Sequence, residues 1–267
     1  MKIYRDEDTD LRALAEKTVA VIGYGNQGQA QALNLHDSGV RVIVGNLEDE
    51  SAERARRDGF TVLPIAEAAA RGDVLLLLLP DEIQRQVYGD SIRKQLRPGK
   101  TLDFAHGFNI RFGWIKPPPK VDVIMVAPRM IGHSVRQRFL DGAGSPAYVA
   151  VEQDATGHAW ETALALAKGI GATRAGAIET TFAQETEIDL FMEQATFAAI
   201  DRTLVLSFDV LVEEGFDPEM VALELYGSYE AAEIFGEMAR TGFFRQGKLH
   251  SQTSQYGTFS RGPVVMP

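Results

Sequence analysis

Residues 19–33 read VAVIGYGNQGQAQAL, and this stretch restricts the fold more than any other. An apolar run ends at Gly23, glycines recur as Gly23-x-Gly25-x-x-Gly28, and a helix-favouring run follows. Gly23 permits a tight turn, Gly25 lets the backbone approach a pyrophosphate, and Gly28 lets the helix pack close against the strand. The helix N-terminus would then aim free N–H groups and the positive end of its dipole at the phosphates. The spacing alone is weak evidence. The strand–turn–helix context, with a second strand at the right distance, makes dinucleotide binding the expectation.

The alternation continues downstream. Apolar runs at Thr18–Gly23, Val40–Gly45, Thr61–Leu63, Val74–Leu79, Thr101–Ala105, Val121–Ala127, Ala147–Val151 and Thr173–Ile178 read as strands. Helical patterns at Gln27–Ser38, Ser51–Asp58, Asp81–Gln95 and Ala155–Lys168 separate most of them. Near-continuous Val/Leu/Ile strands between helices predict an α/β fold: a Rossmann-type parallel sheet covered on both faces. Strand signals stop after Ile178, and Phe182–Glu214 and Pro218–Arg240 read as long helices joined by EGFDPE. The expected organisation is a Rossmann domain over 1–180 and an all-helical domain over 181–267. The tail QTSQYGTFSRGPVVMP shows little periodicity and is expected to lie over the surface or a partner.

Composition excludes several classes of function. Of the 267 residues 45% are hydrophobic and 24% charged, ordinary for a globular protein. The longest apolar run, Val74–Leu79, is too short to span a bilayer, and MKIYRDEDTD lacks the apolar core of a signal peptide. A cytoplasmic location without membrane association is the expectation. The absence of cysteine removes disulfides, thiolate metal sites and cysteine nucleophiles. A net charge of −10 argues against nucleic acid as a partner.

The second strand ends in VGNLEDES, with Glu48 twenty residues beyond Gly28. A carboxylate there accepts both ribose hydroxyls of NAD and repels the 2′-phosphate of NADP, so NAD(P)H is the expected cofactor and NADH the favoured form. The competing reading is an acidic first turn of the next helix, with Arg54, Arg56 and Arg57 close enough in sequence to meet a phosphate. Candidate dinucleotide contacts are Gly23, Tyr24, Gly25, Asn26, Gln27, Gly28, Glu48, Ser51, Leu79, Pro80 and His106.

Together with the glycine loop, the blocks DFAHGFNI, VDVIMVAP, QDATG, KGIGATRAG, IETTF and ETEIDLFMEQ resemble a ketol-acid reductoisomerase over nearly the whole chain. The resemblance implies a Rossmann domain joined to a helical domain that dimerises and completes a shared active site. It also implies a Mg2+-dependent alkyl migration on acetolactate-type acids, followed by NAD(P)H reduction. Asp189 and Glu193 match the family's first metal pair. Glu224 matches the first residue of the second pair, but Ser228 replaces its second glutamate. Glu230, six residues beyond Glu224, points to a different helix face. Ser251 matches a serine that contacts the substrate carboxylate, with a spacing two residues longer than the family has. Arg129 replaces a lysine that bridges metal carboxylates and substrate, and Met130-Ile131 replaces a Gly-Pro turn. A guanidinium fork is not equivalent to a compact ammonium. His106, at the end of a strand, matches the histidine beside the nicotinamide; His133 and Ser134 read as helix caps. The chain is shorter than the family pattern at its C-terminus.

These departures fall on the alkyl-migration machinery and spare what hydride transfer needs. The expected function is therefore an NAD(P)H-dependent reductase acting on a C=O or C=N carbon of a small carboxylate-bearing molecule. His106, Arg129, Asp189 and Glu193 are its catalytic candidates, and Glu224, Ser228 and Ser251 its substrate contacts. Asp189, Glu193 and Glu224 are expected to hold one Mg2+ or none. Two alternatives stand beside this reading: a complete ketol-acid reductoisomerase, and a dinucleotide-binding protein without activity.

Overall fold

In the computed structural model, which describes residues 1–265, the apolar runs of the first 190 residues form one nine-stranded sheet. In chain order, β1 (Ile3–Tyr4) precedes β2 (Thr18–Ile22), α1 (Asn26–Asp37), β3 (Arg41–Gly45), α2 (Glu50–Arg57), β4 (Val62–Leu63), α3 (Ile65–Arg71), β5 (Val74–Leu77) and α4 (Asp81–Val87). Then follow β6 (Thr101–Phe104), α5 (Phe108–Arg111), β7 (Asp122–Pro128), α6 (Gly132–Leu140), β8 (Ala147–Gln153), α7 (Ala159–Gly169), α8 (Ala172–Ala175), β9 (Ala177–Glu179) and α9 (Phe182–Phe191). The order across the sheet is β1-β9-β8-β7-β6-β5-β2-β3-β4. Its last six strands are mutually parallel and reverse their direction of growth between β2 and β5, which creates a crevice at their carboxyl ends.

Both faces of the sheet are covered, as strands without polar alternation require. Leu35 of α1 and Ala163 and Leu166 of α7 pack with Val19, Val21 and Leu76 on one face. Ala68 of α3, Tyr88, Ile92 and Phe182 pack with Ile22, Leu75, Leu77 and Phe104 on the other.

The sheet is mixed rather than wholly parallel. β8 runs antiparallel to β7, and β1, which has no strong sequence signal, runs antiparallel to β9 at the edge. A strand buried on both faces reads the same in either direction, so direction is set by the connection and not by the pattern. Within Thr173–Ile178 the residues up to Ala175 are helical, and Gly176, at φ +124°, turns the chain into β9. The segment IAEAAAR forms α3, short enough to hide between two strand signals. His133 and Ser134 lie inside the first turn of α6; Ile131 occupies the cap position without a side-chain bond.

The chain forms two compact units, Met1–Leu190 and Phe191–Pro267. The second is helical among its described residues. A wider turn over 192–197 leads into α10 (Ala198–Glu213), α11 (Pro218–Ala222), α12 (Glu230–Thr241), α13 (Phe243–Gly247) and α14 (Gln252–Val265). The expected single helix over 218–240 is broken at Tyr229, which takes the left-handed conformation at φ 66°. The tail, whose sequence shows little periodicity, forms α14 over its described residues. Among the second unit's described residues only Val221 and Gln246 are buried, while Phe197, Val205, Phe235, Phe243 and Phe259 are exposed.

No helix among the described residues is long and apolar enough to cross a membrane.

Candidate active site

The glycine motif sits where the sheet order reverses. Gly23, at φ +94°, passes so close to the end of β5 that a Cβ would lie 2.8 Å from the Leu78 carbonyl oxygen. A Cβ on Gly28 would lie 2.1 Å from the Gly23 carbonyl oxygen, which explains how α1 packs so tightly against the turn. Gly25 has open space where its Cβ would be, and it caps α1 without a side-chain bond, so the first N–H groups of the helix stay available. These features fit the pyrophosphate of a dinucleotide.

The other dinucleotide candidates divide by where their side chains go. Tyr24 turns into the core: its ring packs on Phe60, its hydroxyl donates to Asp58 and its backbone N–H donates to Asn46 Oδ1. Burial first, and the Asp58 bond second, push its pKa up. Gln27 donates from Nε2 to the Met130 carbonyl oxygen at 2.8 Å. A Cβ on Gly132 would lie 2.0 Å from the Asn26 carbonyl oxygen, so the glycine loop and the loop before α6 are seated against each other. Met130 and Ile131 are exposed.

At the end of β3, Asp49 caps α2 by accepting from Ser51 and Ala52 N–H groups. Glu48 is exposed and accepts from Arg56 through both carboxylate oxygens, at 2.7 and 2.9 Å. That bond holds its carboxyl below the usual range. Leu79 is half-buried, with its carbonyl oxygen accepting from Gln84, and Pro80 caps α4.

Beyond β6 lies a charged cluster built from three elements. His106 follows the strand, Arg129 follows β7, and α9 supplies Glu185 and Asp189. Glu185 is wholly buried and organises the group. Its Oε2 accepts from the Gly107 N–H at 2.9 Å; its Oε1 meets His106 Nδ1 and Arg129 Nη1, each at 3.0 Å. Asp189 pairs with Arg129 Nη2 and lies 3.6 Å from His106 Nδ1. α9 can approach this closely because residue 107 has no side chain: a Cβ there would lie 2.5 Å from Thr186 Oγ1 and 2.8 Å from the Phe182 carbonyl oxygen. Burial pushes the His106 pKa down, but the Glu185 bond and the charges of Glu185, Asp81 and Asp189 outweigh it, and the net direction is upward. Burial likewise raises Asp81.

Reading the sequence picks out His106, Arg129 and Asp189, which the fold brings together, and misses Glu185, which joins them. Glu193, Glu224, Ser228 and Ser251 belong to the second unit and are exposed there. Ser228 Oγ accepts from the Glu230 N–H at 3.5 Å, and Ser251 Oγ from the Ser254 N–H at 3.3 Å at the start of α14.

His106, Glu185 and Asp189 are the metal-compatible group among the described residues, their ligand atoms lying within 4.8 Å of one another. The group does not fit Mg2+ as it is held. One oxygen of each carboxylate already faces the Arg129 guanidinium, and the third donor is an imidazole nitrogen, whereas Mg2+ takes oxygen ligands.

Comparisons with known proteins identify the family of the chain. Residues 13–176 match the family model described as the acetohydroxy acid isomeroreductase NADPH-binding domain, and residues 182–267 match the ketol-acid reductoisomerase C-terminal domain. An NADH-preferring ketol-acid reductoisomerase from an uncultured archean superposes with a TM-score of 0.95 at 45% identity, covering 100% of this chain and 82% of that one. A semialdehyde dehydrogenase NAD-binding protein from Cupriavidus necator, solved with calcium and NAD, has a TM-score of 0.71 at 20% identity over 94% of this chain and 92% of its own. Pyrroline carboxylate reductase from Plasmodium falciparum, with NADP bound, has a TM-score of 0.56 at 13% identity, again over 94% and 92%. The last two show a shared fold.

Proposed function

The chain belongs to the ketol-acid reductoisomerase family of NAD(P)-dependent oxidoreductases, and from that premise we propose that it works as a reductase in which the alkyl-migration step is lost. It would reduce a C=O or C=N carbon in a small carboxylate-bearing substrate. The observation that carries this reading is the Arg129 guanidinium paired with Asp189, a residue that migration chemistry would need as a ligand of a divalent ion.

When bound, a dinucleotide held through its pyrophosphate by the glycine loop, Gly23 to Gly28, would supply the hydride. The residues of the chain do the rest. His106 Nδ1 is committed to Glu185, which leaves Nε2 to deliver a proton to the oxygen or nitrogen of the reduced double bond. Glu185 fixes the imidazole and favours its protonated form. Arg129, 29% exposed at its side chain, presents positive charge to an anionic substrate group. The exposed apolar side chains of the second unit suit a second copy of the chain, so a homodimer sharing its active sites is part of the proposal.

The cofactor indications point both ways: the matching family model is described as NADPH-binding, and the 45% identical structure as NADH-preferring. We favour NADH because Glu48 is ionised at the end of β3 and occupies Arg56. Fluorescence titration is expected to give tighter binding of NADH than of NADPH. Glu48→Ser, which frees Arg56, is expected to raise NADPH affinity by about tenfold. Tighter NADPH binding by the unaltered protein would refute this reading of Glu48.

A second reading, a complete ketol-acid reductoisomerase, is favoured by the 45% identity over the whole chain. Incubation with acetolactate and with 3-hydroxy-3-methyl-2-oxobutanoate, each with NADH or NADPH and with or without Mg2+, separates the two. Reduction of the second compound alone is the expected result. Mg2+-dependent turnover of acetolactate would select the complete enzyme.

A further inference from the structure

We propose that Arg129 is a built-in cation that stands where a divalent ion would sit between Glu185 and Asp189, so that the protein as it exists takes no divalent ion at these carboxylates. The inference rests on reading this cluster as the reacting site, and it concerns ion binding rather than turnover.

Glu185 is wholly buried, and a buried carboxylate remains ionised only with charged partners and hydrogen bonds. Three donors converge on it, and one is the guanidinium. The two outer nitrogens of that guanidinium are divided between the acids, Nη1 toward Glu185 and Nη2 toward Asp189. A planar fork fills the gap between two carboxylates, whereas an ammonium makes a point contact and leaves space beside it.

The guanidinium is also held from behind. Arg129 continues directly from β7, and its backbone N–H donates to the Pro146 carbonyl oxygen at 2.8 Å. Its side chain lies over the Tyr148 ring, 5.1 Å from the centroid. An entering ion would have to displace this group from both acids and then bear the repulsion of the adjacent positive charge. With no ion present, the site still offers a fixed cation and N–H donors to the negative charge that grows on the substrate during hydride transfer.

Mn2+ binding to the protein without cofactor or substrate tests this, read from the free-ion paramagnetic resonance signal. The unaltered protein and Asp189→Asn are expected to give the same isotherm, with no Asp189-dependent ion. Arg129→Ala is expected to gain one Mn2+ per chain, with affinity at least about tenfold above the unaltered protein, and Arg129→Ala/Asp189→Asn to lose it. Submillimolar binding by the unaltered protein that Asp189→Asn abolishes would overturn the inference. So would failure of a folded Arg129→Ala protein to gain an ion, because the guanidinium would then not be what excludes it. Should Arg129→Ala not fold, Arg129→Lys takes its place, with the same gain expected on a smaller scale. Catalytic inactivity toward both test acids would overturn the proposed reaction and leave these binding results intact.

Discussion

Glu185→Gln is expected to lower kcat by about a hundredfold and to leave NADH affinity unchanged. The substitution keeps the shape of the side chain and an oxygen for the Gly107 N–H, but it removes the negative charge that His106 and Arg129 share. In the proposed reaction Glu185 would act through His106, as a positioning residue. Burial alone would push the His106 pKa down, and the Glu185 bond leads the effects that reverse this. Without the charge, His106 loses its proton at lower pH, and the basic limb of the kcat/KM profile moves to lower pH. Removing one partner from a buried charged group also destabilises the fold, by about 3 kcal/mol. Reduced kcat with an unmoved pH profile would show that Glu185 only supports the packing of α9.

The reasons why the sequence reveals some of this site and conceals the rest are physical. The glycine loop is legible because all its requirements are local: turn, approach and packing fall within six residues, and the structure shows the close contacts at Gly23 and Gly28. Strand His106 ends on is legible for the same reason, as an apolar run followed by glycine. Glu185 is not, because its importance lies in complete burial and in partners 79 and 56 residues away in the chain. One signal was available: Glu185, Asp189 and Glu193 recur every fourth residue in the sequence, so the acidic pattern begins a turn earlier, at Glu185, than the metal pair suggests. The mixed sheet was hidden because strand direction leaves no mark on a two-sided apolar run. α14 was hidden because a segment rich in Ser, Thr and Gly has weak helix propensity.

Asp103 leads to the second large effect, on stability. It lies in the middle of β6 between Leu102 and Phe104, paired across the sheet with Leu76 and Ile124. It is fully buried, and neither carboxylate oxygen has a hydrogen-bond partner among the described residues. Burial raises its pKa well above the ordinary carboxylate value, outweighing the opposing pull of the Val126 and Phe104 backbone. In the unfolded chain the carboxyl titrates near pH ~4. Between that pH and its raised folded pKa the native state binds the extra proton, so stability falls as pH rises, by up to about 1.4 kcal/mol per pH unit. Asp103→Asn has nearly the same volume and no charge to bury. Denaturant unfolding from pH 4 to 8 is therefore expected to show the two proteins close together at the acid end. Toward pH 8 the Asn variant should become more stable by about 2 kcal/mol or more. Parallel stability curves across that range would mean that Asp103 does not carry its proton into the fold.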